Sequence, residues 1–489
     1  MAVIFHSVPM FFVLLLFFIS LTTPIIHAIN IVESLPGFEG PLPFRLETGY
    51  VEAGEEKDAQ LFYYFIESER NPKEDPILIW LSGGPRCSSL AGLLYEVGPI
   101  TLRDDYRVQN GDLGPFPQES KEDDDDVPTL VLNPYGWTQV ANVIFLDQPV
   151  GAGFSYSKSG QESNISDTKS ALNTYQFLQK WFQDHQQFLS NPLYVFGNSY
   201  SGTTIPVIVQ EIINGIEAGQ GPLLNFKGYS IGNPITNREL EQNARIPFAH
   251  GVGLISDELY KSLQQSCKGQ YVNFDESNVL CSNDYKRFLK CISGINNYQI
   301  LEPLCQVQPK QNVSSHNRRS IETVLKSFRT SNCREDAYKI SEYWANNNRV
   351  QEALRVRKGT LTLKKWVKCN SHITPGKIDY GVAYNCDVNN SVPYLKYIST
   401  KGYRSLIYSG DHDLEVSHIS TRTWIRSLNS SIVDDWRPWH VDGQVGGFMT
   451  TYSNGMTFAT VKGAGHTTAE YQPKETFALF KKWIFGDLS

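Results

Sequence analysis

The stretch that most constrains this chain is Leu193-Tyr194-Val195-Phe196-Gly197-Asn198-Ser199-Tyr200-Ser201-Gly202. An apolar, β-favouring run stops at a glycine, and a serine follows two residues on. The pattern reads as a strand that turns sharply into a helix, with the serine at the turn. Such a turn holds its serine in a strained conformation, so the flanking residues must be small. Gly197 and Ser201 meet that need, although the usual Gly-x-Ser-x-Gly elbow would have its second glycine one residue before Gly202. Ser199 Oγ would then project above a sheet edge, with the Tyr200 N–H aimed where an oxyanion forms. The alternative is an ordinary Gly/Ser/Asn turn on a surface loop, because short motifs also match by chance.

Other stretches supply neighbours for such a strand. Residues 76–81 are a short continuous apolar run, as expected of a strand buried on both faces. They empty into Ser82-Gly83-Gly84-Pro85-Arg86-Cys87, where the glycines would let backbone N–H groups face a ligand, unless this is a plain turn. Residues 44–50 and 61–66 read as paired strands around a turn at Ala53-Gly54, and 143–146 as a buried strand ending in Asp147-Gln148-Pro149. A helix is expected over 167–189, capped by Ser166 or Asp167, and another over 205–213. The strand 226–231 ends in Gly232-Asn233-Pro234; later strands at 405–408 and 456–461 end in Gly410-Asp411-His412-Asp413 and Gly463-Ala464-Gly465-His466. A helix over 470–485 closes the chain. Strands alternating with helices predict an α/β fold, a mostly parallel sheet covered on both faces.

Between Ala249 and Trp344 that alternation breaks and cysteines crowd in, at Cys267, Cys281, Cys291, Cys305 and Cys333. This reads as an inserted helical cap over 249–345 that interrupts a core of 29–248 and 346–489. Its linker, 306–332, is polar and basic, either a site for proteolytic nicking into two chains or an intact surface loop.

Compartment and partners follow from composition. Residues 11–19 are apolar and too short to span a bilayer, and Ala28 suits a cleavage point, so 1–28 reads as a signal peptide; an uncleaved anchor is the alternative. No later segment is long and apolar enough to cross a membrane. Eight cysteines and the sequons at Asn164, Asn312, Asn389 and Asn429 agree with secretion. A net charge of -7 does not favour a nucleic-acid partner. The acidic run 123–126 lacks the spacing of a calcium loop, and no metal or cofactor is expected.

Ser199, Asp413 and His466 each lie just past the C-terminal end of an expected strand, the edge where open α/β sheets bind ligands. Serine needs a base within hydrogen-bond reach, and the base needs an acceptor to fix its tautomer. His466 serves as base and Asp413 as orienter, in the chain order of α/β-hydrolases. His412, His418 and Asp411 compete; the glycine-rich loop directly after a strand favours His466.

The chain resembles the serine carboxypeptidase-like proteins of plants. The resemblance rests on residues 80–85, 147–156, 197–202, 232–234, 410–413 and 463–466, spread over nearly the whole mature chain. It implies an α/β-hydrolase fold, the triad Ser199, Asp413 and His466, and an oxyanion hole from the N–H groups of Gly84 and Tyr200. Peptidases of this family bind a C-terminal carboxylate with an asparagine before the two glycines and a glutamate before the nucleophile. Here Ser82 precedes Gly83, and Asn198 precedes Ser199, so exopeptidase recognition should weaken. Residues 147–156, 452–460 and 466–473 resemble the acyltransferase branch, which moves acyl groups from 1-O-β-glucose esters to an alcohol or amine. The implied partners are therefore a small acyl donor and an acceptor, in a vacuolar or secreted enzyme; a carboxypeptidase and a non-catalytic paralogue remain as alternatives. Arg86 stands where the family has glycine, which strains the loop if φ is positive there. The resemblance also implies the disulfides Cys87–Cys369, Cys267–Cys281 and Cys305–Cys333, leaving Cys291 and Cys386 over.

Overall fold

The computed structural model describes residues 30–103, 127–160, 165–275, 277–305, 334–358, 365–370, 372–374, 377–379 and 384–488. The expected signal peptide, the acidic run, the basic linker, Asn164, Asn312 and Cys333 lie outside these.

Eleven strands build the main sheet: β1 (Asn30–Val32), β2 (Leu46–Ala53), β3 (Ala59–Ile66), β4 (Ile77–Leu81), β5 (Asn142–Leu146), β6 (Leu193–Asn198), β7 (Phe226–Gly232), β8 (Arg404–Gly410), β9 (Ile432–Val441), β10 (Gln444–Tyr452) and β11 (Met456–Val461). Their order is β1-β2-β3-β5-β4-β6-β7-β8-β11-β10-β9, with the short strand Tyr156–Ser157 added beside β3. From β5 to β11 every neighbouring pair is parallel. Both flanks are antiparallel, so the sheet is mixed, with a parallel centre that carries the expected site residues.

The period of two along a strand divides the core into two layers. In β4, Leu78 and Trp80 face one layer with Trp137, Phe480 and Trp483. Ile77, Ile79 and Leu81 face the other with Phe177, Leu178, Ile208 and Ile212. Those last residues come from α1 (Asp167–Asp184) and α2 (Ser201–Glu217). Ser166 caps α1 by accepting from the Lys169 N–H at 3.2 Å. The helix stops at Asp184, short of residue 189, because His185 leaves helical geometry to stack on Trp181 and reach Glu47.

Three helices, α3 (Arg238–Gly251), α4 (Asp257–Cys267) and α5 (Val279–Ile292), bury Phe248, Leu259, Leu263 and Phe288 in a separate cluster that Leu414 also joins. The disulfide Cys267–Cys281 ties α4 to α5. Farther on come α6 (Arg334–Ala345), α7 (His418–Ser427), α8 (Thr468–Tyr471) and α9 (Pro473–Phe485). The expected closing helix is split into α8 and α9: Pro473 has no N–H to continue α8, and Gln472 before it leaves helical geometry. Among the described residues no helix is long and apolar enough to cross a membrane. Asn389 and Asn429 are exposed.

Candidate active site

Ser199 follows the last residue of β6 with φ 57, a left-handed conformation that an L-residue adopts only under constraint. The constraint is visible on both sides of the peptide. Its N–H donates to the Gly232 carbonyl at 2.8 Å, and its carbonyl accepts from Ile235 N–H at 2.9 Å. A Cβ at Gly197 would run into the Leu81 carbonyl and lie 2.9 Å from Ser201 Cβ. A Cβ at Gly202 would lie 2.7 Å from the Ile235 carbonyl. The late second glycine therefore has its own reason, the close passage of 234–235. Ser201 stands in the elbow's last position because its hydroxyl donates to the Leu81 carbonyl at 2.8 Å.

The three distant residues meet. His466 Nε2 lies 2.8 Å from Ser199 Oγ, and His466 Nδ1 lies 2.7 Å from Asp413 Oδ2. Asp413 is fully buried; its Oδ1 accepts from the N–H groups of Glu415 and Val416 at 2.8 and 3.1 Å. Its Oδ2 also accepts from Asn233 Nδ2 at 2.8 Å. A carboxylate so surrounded by donors stays fixed in place and oriented toward the imidazole. Burial alone would pull the His466 imidazole down; the charge and hydrogen bond of Asp413, helped by Glu415 and Glu96, outweigh it and leave the group above the ordinary histidine value.

The competing residues point elsewhere. Asp411 Oδ1 accepts from Gly463 N–H at 2.7 Å and pairs with His412 Nδ1 at 2.6 Å. His418 packs edge-on to Phe248, and burial lowers its basicity.

The loop after β4 lies against the serine turn. A Cβ at Gly83 would lie 2.7 Å from Ser199 Cβ and 2.9 Å from Tyr200 N, so only glycine lets the two backbones approach. Gly84 has φ 117 and Arg86 φ 69, so Arg86 takes the strained branch of the two open to it. Its side chain is buried, with the guanidinium against Gly151. The disulfide Cys87–Cys369 closes the loop. Behind it, buried Asp147 accepts from Ser88 Oγ at 2.6 Å, Ser89 N–H at 2.8 Å and Phe154 N–H at 3.0 Å. Burial pushes Asp147 up to about 6 in spite of these donors. Cys305 is also disulfide-bonded, and its expected partner Cys333 lies outside the described residues. Cys291 and Cys386 are free thiols.

Asn198 is held at both ends. Its Nδ2 donates to Glu96 Oε2 at 2.5 Å, and its Oδ1 accepts from Gly83 N–H at 3.3 Å. A carboxylate partner requires the NH2 end and an N–H partner the oxygen, so both contacts demand one amide orientation. Ser82 Oγ is buried and finds no hydrogen-bond partner among the described residues. Two residues of this site escaped the sequence reading. Asn233 had a usable signal, an asparagine between Gly232 and a proline just past a strand. Glu96 had none, because it closes an apolar stretch far from Asn198 in sequence. No group of three or more His, Cys, Asp and Glu among the described residues could hold a metal ion.

A parallel-centred sheet with a serine elbow at one strand end and a hydrogen-bonded His–Asp pair delivered from two others is the architecture of an α/β-hydrolase. The serine carboxypeptidase family model matches residues 36–486, so the chain belongs to the serine carboxypeptidase family. It is 50% identical over 459 residues to serine carboxypeptidase-like 13 of Arabidopsis thaliana, covering 94% of each chain. It is 48% identical over 483 residues to serine carboxypeptidase-like 12 of the same plant, covering 98% of this chain and 99% of that one. Among solved structures it is similar to Kex1Δp, a prohormone-processing carboxypeptidase from Saccharomyces cerevisiae, with TM-score 0.66 and 19% identity, over 94% of this chain and 95% of that one. At that identity the likeness speaks for the fold.

Proposed function

We propose that this chain is a serine-dependent acyltransferase that moves an acyl group from a 1-O-β-glucose ester to an alcohol or amine through an acyl-enzyme on Ser199. The observation that carries the chemistry is the continuous hydrogen-bonded line from Ser199 Oγ through His466 to Asp413. In this mechanism neutral His466 takes the hydroxyl proton as Ser199 Oγ attacks the ester carbonyl. The N–H groups of Gly84 and Tyr200 receive the oxyanion. His466 then gives its proton to the departing sugar hydroxyl. An acceptor hydroxyl or amine enters, loses its proton to His466 and takes the acyl group, and His466 returns that proton to the departing Ser199 Oγ.

What supports transfer over peptide hydrolysis is the ground beside the nucleophile. Gly83 N–H is engaged by Asn198 Oδ1, and Asn198 Nδ2 by Glu96. A substrate carboxylate would meet an amide oxygen and an acidic side chain there rather than donors. Ser82 Oγ stays free to bond a hydroxyl-bearing ligand. Family membership itself favours a second reading, a serine-type carboxypeptidase, and the strained Arg86 favours a third, a non-catalytic paralogue. The disulfides fit the secretory pathway, and we place the protein in the vacuole or outside the cell.

One assay set separates the three. The purified protein is offered a panel of glucose esters with alcohol and amine acceptors, and blocked dipeptides at acidic pH. Formation of an ester or amide with the acceptor, without peptide hydrolysis, supports the proposal. Peptide hydrolysis without transfer rejects it, and failure of a fluorophosphonate to label Ser199 favours the paralogue.

A further inference from the structure

Residues 297–300, which follow α5, touch both loops of the His–Asp pair. The Asn297 carbonyl accepts from Leu414 N–H at 2.9 Å and from Glu415 N–H at 3.0 Å. The next carbonyl, that of Tyr298, accepts from His466 N–H at 2.7 Å. Gln299 Nε2 donates to the Gly463 carbonyl at 2.9 Å, and Ile300 N–H donates to the His412 carbonyl at 3.1 Å. The outer two residues of the segment thus serve the Asp413 loop and the inner two the His466 loop. The fit is close. A Cβ at Gly465 would run into the Tyr298 carbonyl and lie 2.8 Å from Gln299 Cβ. Gln299 is buried, and its Oε1 accepts from Leu301 N–H at 3.3 Å while its Nε2 serves Gly463, so both ends of the amide are committed to one orientation. Just past the segment, Glu302 pairs with Arg334 of α6 at 2.6 Å, and Arg334 also reaches Glu470 of α8 at 3.4 Å. Glu470 in turn accepts from Thr467 Oγ1, the neighbour of His466, at 3.0 Å. The two loops meet directly at their roots, where His412 N–H donates to the Ala464 carbonyl at 2.9 Å. Farther out, the Asn297 and Tyr298 carbonyls join them.

We propose that residues 297–300 form a strap that sets the separation of His466 and Asp413, and that Gln299 is a positioning residue for proton transfer at Ser199. Asp413 and His466 arrive on loops from two strands, β8 and β11, and the sheet fixes only the roots of those loops. The bond between His466 Nδ1 and Asp413 Oδ2, at 2.7 Å, leaves little room for drift. Misplacing a catalytic group by about 1 Å costs on the order of a hundredfold in rate. Consecutive residues of one chain keep a fixed spacing, about 3.8 Å between Cα atoms. Bonding one loop to the Asn297 carbonyl and the other to the Tyr298 carbonyl passes that fixed spacing on to the His–Asp pair. Gln299 adds a side-chain tie to the same loop as His466, and a substitution can remove it without touching a backbone bond. It acts through the Gly463 carbonyl and does not touch the reacting atoms.

The inference rests on the proton transfers proposed above for Ser199, His466 and Asp413, and its test separates the two. The second-order rate of fluorophosphonate labelling of Ser199 is followed against pH in the native protein, His466→Ala, Gln299→Met and Ser262→Ala. Gln299→Met keeps the length of the side chain and loses the donor. Ser262→Ala is the control for a general loosening of the neighbouring helices, since it removes only a 2.6 Å bond from α4 to Asp284 on α5. Gln299→Met should label about tenfold more slowly. Its midpoint should also move down: burial pulls the imidazole down, Asp413 with Glu415 and Glu96 holds it up, and Asp413 counts for less as the ring drifts from it. Ser262→Ala should keep the native rate and midpoint, whatever it does to melting. An unmoved midpoint in Gln299→Met, or one moved as far by Ser262→Ala, overturns the strap and leaves the roles of the three residues standing. A native protein that labels no faster than His466→Ala overturns both. Should Gln299→Met fail to fold, hydrogen exchange of the native protein decides. The amides of Ile300, Leu414 and His466 should open as one unit, so protection factors within about tenfold of one another sustain the proposal and a wider spread overturns it.

Discussion

Replacing Asp413 with asparagine keeps the shape of the residue and reverses the sense of one hydrogen bond. Its Oδ1 position faces the N–H groups of Glu415 and Val416, so the amide oxygen must occupy it. The amide NH2 then falls at the Oδ2 position, opposite Asn233 Nδ2 and His466 Nδ1, which are both donors in the native site. The relief available is a change of tautomer: His466 accepts at Nδ1 and carries its proton on Nε2, facing Ser199 Oγ. An imidazole in that form cannot take the serine proton. A wrong tautomer in an otherwise intact triad costs about 10⁴ in rate, or about 5 kcal/mol of barrier at ~1.4 kcal/mol per factor of ten. The assay is the second-order rate of fluorophosphonate labelling of Ser199, followed against pH. In the native protein labelling should rise as His466 loses its proton, with a midpoint above the ordinary histidine value. In Asp413→Asn the rate should fall by about four orders of magnitude and the midpoint should move down, since burial remains and the opposing charge is gone. A loss below about tenfold, or an unmoved midpoint, would refute the assigned roles of His466 and Asp413.

Three further outcomes follow from the same contacts. Gly83→Ala places a Cβ 2.7 Å from Ser199 Cβ, and labelling should drop at least about a hundredfold, the scale of losing one oxyanion donor. Asn198→Glu sets a second carboxyl beside Glu96; the pair would share a proton in acid, and hydrolysis of blocked dipeptides should appear near pH ~5 and fade toward neutrality. Stability should fall as pH rises from about 5 to about 8, because burial raises Asp147 to about 6 and Glu241 to about 7. A folded-state value above the unfolded one stabilises below the unfolded pKa and is lost as pH climbs through the folded one. The two groups together give about 4 kcal/mol over that range at ~1.4 kcal/mol per unit, so denaturant midpoints should be higher in acid, and Glu241→Gln should flatten the trend.

The parts of the fold that the sequence made legible are those where one local signal suffices. Buried central strands such as β4 and β11 are short apolar runs, and their C-terminal glycine-rich loops hold Gly83 and His466. The hairpin of β9 and β10 went unrecognised. Its turn is Asp442-Gly443, with φ 47 and φ 74, a strong hairpin signal. The strand before it hid that signal. Pro438 and register shifts at Asp434, Arg437 and His440 break its alternation, and most of it is solvent-facing. At the site, the meeting of Ser199, Asp413 and His466 could be expected because each sits just past a strand. The Asn198–Glu96 contact could not be, because it arises from packing between segments with no shared pattern. The sign of φ at Arg86 is likewise set by the disulfide-closed loop around it, not by the residue.

The most direct test of the central claim is peptide mapping by mass spectrometry after fluorophosphonate treatment of the native protein and of His466→Ala. A histidine-activated Ser199 predicts one adduct, on the peptide that carries Ser199, nearly abolished in the variant. An adduct on another residue, none at all, or undiminished labelling without the imidazole would contradict it.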